Sequence, residues 1–370
     1  MKVKVKYYEG LNRMFRVINN IRRWTEIMTD PKYDEISKQT LNCILCFFLA
    51  KENERMGKPI NWTRIVKAAI YRAFQKAYIF YDTPEHIYKE ICEVGKIPYE
   101  KVMRDTTHTI IAEETDEEFA DFLEDCCNTY EKELYEAATK IATYFEYKEN
   151  ETRRTEKGMY LYTSLAKYEN IPGFKEILDN YEEVFQVCSK LRNQNRWSGL
   201  GYRVSCAVSG HLFDTAIFGY FNALEMGYSE KDAVNIFFIG IFHDVAETFT
   251  RDIPSPVKNG IKGFREATEK YELKKMKEEF YPKLPKYMAK KVKEVMMEED
   301  ANECYKNVCK VADYISAGSE IFRQMPDETW NNAMNNHYEK LSKTYKDRIG
   351  KNALKFFESI KNRVNSEFDE

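Results

Sequence analysis

The sequence predicts an all-α protein, and three observations carry that expectation. Proline and glycine are sparse, at 10 and 15 in 370 residues. Apolar-polar alternation between turn signals, the mark of a half-buried strand, is hard to find. Long segments instead repeat apolar residues at helical spacing, as in IVKAAIYRAFQKAYIFY (65–81), FADFLEDCCNTYEKELYEAATKIATYF (119–145) and AVNIFFIGIFHDVAETF (233–249). Each of these segments predicts a helix. Breaks between helices are expected at Asp30-Pro31, Gly57 to Pro59, Ile171 to Gly173, Arg251 to Pro256 and Pro282 to Pro285, where proline or glycine interrupts the pattern. The charged run EYKENETRRTEKG (146–158) reads as a junction. It divides a helical unit over 1–150 from a second over 151–330, followed by a helical extension over 331–370.

A chain of this length can form two ordinary domains or one large one. At 43% hydrophobic and 14% aromatic residues it can bury substantial cores. Lys plus Arg number 57 against 60 Asp plus Glu, a balance that argues against a dedicated nucleic-acid binder. The nine cysteines are odd in number and lack a framework spacing, which fits a reduced, cytoplasmic setting. Cys43 and Cys46 form a C-x-x-C inside the apolar stretch LNCILCFFLA, with no second ligand pair nearby, and are expected to pack as small hydrophobes. The opening MKVKVKYYEG is polar, so no signal peptide is expected, and runs such as NIFFIGIF (235–242) are too short to span a bilayer.

The chemistry concentrates in the second half. His211, the pair His243-Asp244 and Asp313 run in the order H…HD…D, a set suited to one divalent ion such as Mn, Fe, Co, Ni or Zn. His211 lies near the start of one apolar helical stretch, His243-Asp244 near the end of a second, and Asp313 within a third. Three helices converging on one ion would leave positions for water, as a catalytic site requires. Glu247 lies four residues after His243 and three after Asp244, which puts it on the same face one turn along, the place for a general acid or a water-positioning group. The loop TRDIPSPVK then turns Asp252 towards the pocket mouth. Taken singly, each residue has a plain structural reading: a satisfied core histidine, a solvated glutamate, a capped turn. Only five histidines occur in the chain, and two of them fall in this pattern.

The first half repeats the layout with the ligands removed. IRRW (21–24) answers QNRW (194–197), Ser37-Lys38-Gln39 answers Ser209-Gly210-His211, and 73–87 answers 241–257. Residues 140–144 answer 310–314, so Gln39, Gln75, Lys76 and Thr143 stand at the ligand positions. An internal duplication follows.

These residues resemble the HD-domain metal-dependent phosphohydrolases, and within them the 5′-deoxynucleotidase branch, whose motif has the form HDxxExxTGDxPxPxK. The chain reads HDVAETFTRDIPSPVK (243–258), with Arg196-Trp197 upstream of the first histidine. The resemblance, over roughly 185–325, implies a helical HD bundle, duplicated here. It implies that His211, His243, Asp244 and Asp313 bind one divalent metal ion, Mg included among the candidates. Asp244 and Glu247 would be catalytic, Glu247 as general acid or proton shuttle. Arg196 would hold the 5′-phosphate, Trp197 would pack near the sugar and separate deoxyribose from ribose, and Asp252 would contact the 3′-hydroxyl. Lys258, at the motif's last position, joins the substrate-binding set. The implied reaction is hydrolysis of deoxynucleoside 5′-monophosphates to deoxynucleoside and phosphate.

Two departures stand out. Arg251 occupies the motif's glycine position, where a long cation either adds a phosphate contact or points to solvent. Members of the branch are single HD domains, often dimers, whereas this chain carries a ligand-less copy that either replaces a partner subunit in an intrachain pseudo-dimer or serves as scaffold. It retains Arg23, Trp24 and Asp82, so a regulatory nucleotide site is a further reading. A homo-oligomer also stays open. The rival functions are an HD-type nucleoside triphosphate hydrolase or second-messenger phosphodiesterase, a non-catalytic nucleotide-sensing scaffold, and a single-strand nuclease. The near-neutral charge counts against the last.

Overall fold

The computed structural model describes residues 1–24, 33–150, 164–201, 203–297, 302–324 and 328–369. Its first half contributes α1 (Val5–Asn20), α2 (Glu35–Arg55), α3 (Trp62–Tyr78), α4 (Glu85–Val94), α5 (Tyr99–Glu114), α6 (Glu117–Glu124) and α7 (Tyr130–Glu149). The second half adds α8 (Phe174–Asn180), α9 (Glu182–Ser189), α10 (Val208–Glu225), α11 (Glu230–Phe242), α12 (Ser255–Gly260), α13 (Phe264–Lys275), α14 (Lys286–Val295), α15 (Glu303–Phe322), α16 (Glu328–Glu339) and α17 (Lys351–Asp369). The all-α expectation holds. Among the described residues the only β-type pairings are two isolated bridges, Arg22 with Asp34 and Asn195 with Ala207.

Local chemistry sets many of the helix starts. Asp34, Asn61, Asp116, Thr129, Ser229 and Asn302 each cap a helix by accepting a backbone N–H bond from the first turn. Two expected helices are shorter than their apolar pattern. The stretch 119–145 breaks between Glu124 and Tyr130, where Asn128 takes φ 58° and Thr129 starts a new helix. The stretch 233–249 ends as α-helix at Phe242, and Val245–Thr248 continues as a 3-10 turn. In both, a local turn overrides apolar periodicity that runs straight through it. The expected breaks at 57–59 and 171–173 fall between helices, that at 282–285 begins within the 3-10 turn Tyr281–Lys283, and that at 251–256 ends early because α12 starts at Ser255; Asp30-Pro31 and the 151–158 part of the junction lie outside the described residues.

One apolar core runs through both halves, from Val3 to Val364. The ring of Phe47 on α2 lies 5.2 Å from both Phe238 and Phe242 on α11. Tyr8 on α1 stacks 5.8 Å from Phe356 on α17. At the seam the Ser209 hydroxyl donates to the Ser37 hydroxyl at 2.7 Å, buried between α10 and α2. The last two helices pack inside this assembly, with the Phe357 ring against Gly318 of α15. Cys43 and Cys46 are buried free thiols within the core of α2. No helix of the described residues is long and apolar enough to cross a membrane.

The centre of the second half is the crossing of α10 and α11. Gly240 makes it close: a Cβ there would meet the Ala216 Cα at 2.6 Å. Backbone on both sides leaves little room to yield. Gly240→Ala is therefore expected to destabilise the protein by about 1–3 kcal/mol through overpacking, read as a lower denaturant midpoint. An unchanged midpoint would mean the crossing relaxes without loss.

Candidate active site

Two elements bring His211, His243 and Asp244 into one cluster, and a third places Asp313 against His211. His211 sits on the first turn of α10 with 1% of its surface exposed, and Asp313 sits midway along α15. His243 and Asp244 follow directly on the last residue of α11. Ligand atoms of His211, His243 and Asp244 lie within 4.8 Å of one another, and Asp313 Oδ1 is 3.0 Å from His211 Nε2.

The histidines are oriented as ligands require. His243 Nδ1 is 2.8 Å from the Gly240 carbonyl, which can only accept, so that nitrogen carries the proton. Nε2 is left with its lone pair free. It is buried and makes no hydrogen bond; Asp244 Oδ2 is 3.1 Å away, but off the line such a bond needs. An orphaned, correctly tautomerised imidazole nitrogen beside two carboxylates is what a divalent ion would complete. His211 turns its Nδ1 to Glu320 Oε1 at 3.0 Å and Ser316 Oγ at 2.9 Å, and its Nε2 to Asp313. Burial and Arg196 oppose a charge on His211, yet Glu320 and Asp313 outweigh them and hold its pKa up at about 9. The pocket gathers negative charge and draws a proton to where a cation would sit. Asp313 is held well below the usual carboxylate range: burial opposes this, but Lys310 and His211 prevail. The residues present thus fit a divalent ion.

Arg196 and Trp197 join the site through Glu320, a residue the sequence reading missed. Glu320 is 1% exposed. Its Oε2 accepts from Arg196 Nε at 3.1 Å and from Trp197 Nε1 at 2.6 Å, while Oε1 faces His211. Burial works against the Glu320 charge, but Arg196 and His211 keep its pKa down at about 2. Glu320 lies seven residues after Asp313, two turns along one face of α15, and that spacing is the signal that could have found it. Trp330 and His337 of α16 were also missed. Their rings lie 5.6 and 5.9 Å from Trp197, so residues beyond 330 help build this wall of the site. Nothing local in the sequence points to them.

The motif loop supplies the rest. Glu247 stands on the 3-10 turn, not one turn further along an unbroken helix as expected, because α11 stops at Phe242. It still reaches the site: Lys258 Nζ donates to its Oε1 at 3.1 Å, and Oε2 is buried without a partner. Burial first, then the charge of Asp244, pushes the Glu247 pKa up to about 8 against the pull of Lys258. Asp252 is half-buried, near enough to Arg196 and Glu247 to act on both. Arg251 is exposed, with φ 63°. That left-handed backbone favours glycine, which gives a physical reason for glycine at this place in the motif.

Residues 183–363 match the family model described as 5′-deoxynucleotidase YfbR-like. This part of the chain, just under half of it, is similar to that family. With the YfbR-like family comes the general activity, metal-dependent hydrolysis of phosphate from nucleotides. The matched segment contains every expected site residue, and it extends over Glu320, Trp330 and His337 as well. No curated protein matches the chain.

Two outcomes are expected from these contacts. Glu320→Gln keeps the shape but removes the charge that Arg196, Trp197 and His211 share, so turnover or metal affinity should fall about 10- to 100-fold. Steady-state kinetics with a metal titration reads this, and wild-type values for both would remove Glu320 from the site. Arg251→Gly should raise stability by up to ~1 kcal/mol, because glycine adopts the left-handed backbone without the Cβ penalty. A denaturant midpoint at or below wild type would contradict it.

Proposed function

We propose that the chain hydrolyses deoxynucleoside 5′-monophosphates, releasing deoxynucleoside and phosphate, with one divalent ion held by His211, His243, Asp244 and Asp313. The observation that carries this reading is the Glu320 carboxylate, which binds a ligand histidine with one oxygen and the Arg196-Trp197 pair with the other. A phosphate seated beside the ion would meet the Arg196 guanidinium, whose planar fork suits a phosphoryl group. When bound, the ion supplies charge neutralisation at the phosphorus centre and lowers the pKa of the attacking water.

The chain's own residues do the remaining work. Arg196 is committed to Glu320 through Nε, which aims the rest of the guanidinium. Trp197 presents its ring to the sugar, braced by Trp330 and His337. Asp252 accepts from the 3′-hydroxyl. Glu247, buried and with its pKa pushed up to about 8, holds a proton at neutral pH. It gives that proton to the departing 5′-oxygen as the bond from phosphorus to that oxygen breaks and water adds its own oxygen to phosphorus, and the proton the water loses restores the Glu247 carboxyl. Lys258 steadies Glu247, and Arg251 at the rim meets what protrudes from the pocket.

The test is a substrate panel of deoxynucleoside mono-, di- and triphosphates, ribonucleotides and cyclic dinucleotides, run with Mn, Co, Mg and Zn. Deoxynucleoside monophosphates should turn over fastest. If they release no phosphate while triphosphates or cyclic dinucleotides do, the nucleotidase reading is lost. Glu247→Gln should retain the metal and lose about a hundredfold or more in kcat. His211→Ala and Asp313→Ala should lose the metal itself by elemental analysis; wild-type metal content in both would refute the ligand set.

A further inference from the structure

The two halves repeat a set of contacts that no substrate chemistry of the second half explains. The bridges Arg22–Asp34 and Asn195–Ala207 each pair residues twelve positions apart. Just after the first residue of each bridge an arginine precedes a tryptophan with left-handed backbone, φ 59° at Trp24 and 62° at Trp197. In each half that pair grips a buried glutamate on a long helix. Arg23 Nη1 is 2.6 Å and Trp24 Nε1 3.2 Å from Glu146 Oε2 on α7, as Arg196 and Trp197 are held by Glu320 on α15.

These anchors set the register between halves more firmly than letter-by-letter comparison. His211 lies four residues after the bridged Ala207; four after the bridged Asp34 comes Lys38, not Gln39. Asp313 lies seven residues before Glu320; seven before Glu146 comes Thr139, one turn from Thr143. His243 and Asp244 lie fourteen and fifteen residues after the cap Ser229, and the same steps from the cap Asn61 reach Gln75 and Lys76. The ligand set of the second half is replaced by Lys38, Gln75, Lys76 and Thr139. Two lysine side chains, Lys38 and Lys76, stand where a histidine and an aspartate would receive an ion.

The electrostatics of the two pockets run in opposite senses. In the second half, carboxylates hold His211 up. In the first, burial together with neighbouring Arg23 and Arg72 brings Lys76 down to about 8, with Glu35 too weak to offset them. Burial and Arg23 likewise hold Lys38 well below the usual lysine range. Lys76 and Lys140 make no hydrogen bond or ion pair among the described residues, and both are only half-buried. The carboxylates present are already engaged. Glu146 and Glu35 are bound to Arg23, and Glu85 to Arg72 and Lys89. Lys76 and Lys140 both lie near enough to Arg72 and Glu85 to respond to their charge, so this region holds cations that its engaged carboxylates leave without an acceptor.

We propose that the first half has exchanged an ion site for an anion site, in which Lys76 and Lys140, with Lys38 and Arg23 behind them, bind the phosphoryl group of a phosphomonoester without metal. The phosphoryl oxygens supply the acceptors that both ammonium groups lack, and Trp24 stands beside the pocket as Trp197 does beside the other. That the ligand is a nucleotide rests on the nucleotidase reading; that it is a phosphate dianion does not.

The test uses the full chain carrying Arg196→Ala, freed of metal by chelation, so that the second-half site is silenced. Calorimetric titration with inorganic phosphate and with 2′-deoxyadenosine 5′-monophosphate should each show one equivalent bound per chain. Adding Lys76→Gln should weaken binding about tenfold or more, the scale of one lost charge-assisted hydrogen bond. Tighter binding of the nucleotide assigns the site to nucleotides, and equal binding assigns it to the phosphate group alone; either supports the proposal. Absence of binding in the Arg196→Ala chain overturns it, as does unchanged affinity on Lys76→Gln. Thermal melts by circular dichroism check each variant, and if Lys76→Gln does not fold, Lys140→Gln must weaken binding instead. Because no metal and no turnover enter the readout, a failed substrate panel would leave this result standing.

Discussion

A buried carboxylate, Glu320, is the constraint on which the active half depends. Three groups converge on it: an imidazole that would hold a metal, a guanidinium that would hold a phosphate, and an indole that lines the sugar side. A charge this deep persists only because each oxygen is satisfied by cationic or polar donors; with a partner removed, the stranded charge would cost about 3–5 kcal/mol. The metal centre and the substrate arm are therefore one electrostatic unit. His211 and the Arg196-Trp197 pair would thus be held at a spacing set by one glutamate side chain.

The loop that follows His243 is built on the same logic. Ending α11 at Phe242 releases Asp244 from helical geometry, and the 3-10 turn carries Glu247 inward, where burial and Asp244 together make a carboxyl group retain its proton. Lys258 moderates that effect from the next helix. The neighbouring left-handed residue at Arg251 is the backbone cost of this tight reversal.

Much of this was legible in the sequence, for physical reasons that differ by residue. His243 and Asp244 are adjacent, and the loop after them is contiguous, so local spacing sufficed. His211 and Asp313 could be placed because each sits on a helix with clear apolar periodicity. Glu320 was not seen because a lone glutamate at the end of an apolar stretch looks like a solvated residue; only its seven-residue distance from Asp313 hints at a shared face. Trp330 and His337 reach Trp197 by tertiary packing of α16, which no spacing encodes. The breaks at 124–130 and at Phe242 were hidden because apolar residues continue through turns whose caps and backbone angles decide the matter. In the first half the letters suggested Gln39 and Thr143, whereas the hydrogen-bonded anchors select Lys38 and Thr139.

The seam between the halves has a mechanical consequence. Gly210 immediately precedes His211, and a Cβ placed on it would come within 2.9 Å of the Ile36 side chain on α2. One residue back, the Ser209 hydroxyl is bonded to that of Ser37. The first turn of α10, which carries a candidate ligand, is thus clamped against the first turn of α2, which leads into Lys38. A hinge needs a layer that can slide, and here that layer is a glycine filled by a neighbour's methyl group. A shift of α2 would therefore press directly on the residue before His211, which ties the packing of the first half to the placing of that side chain.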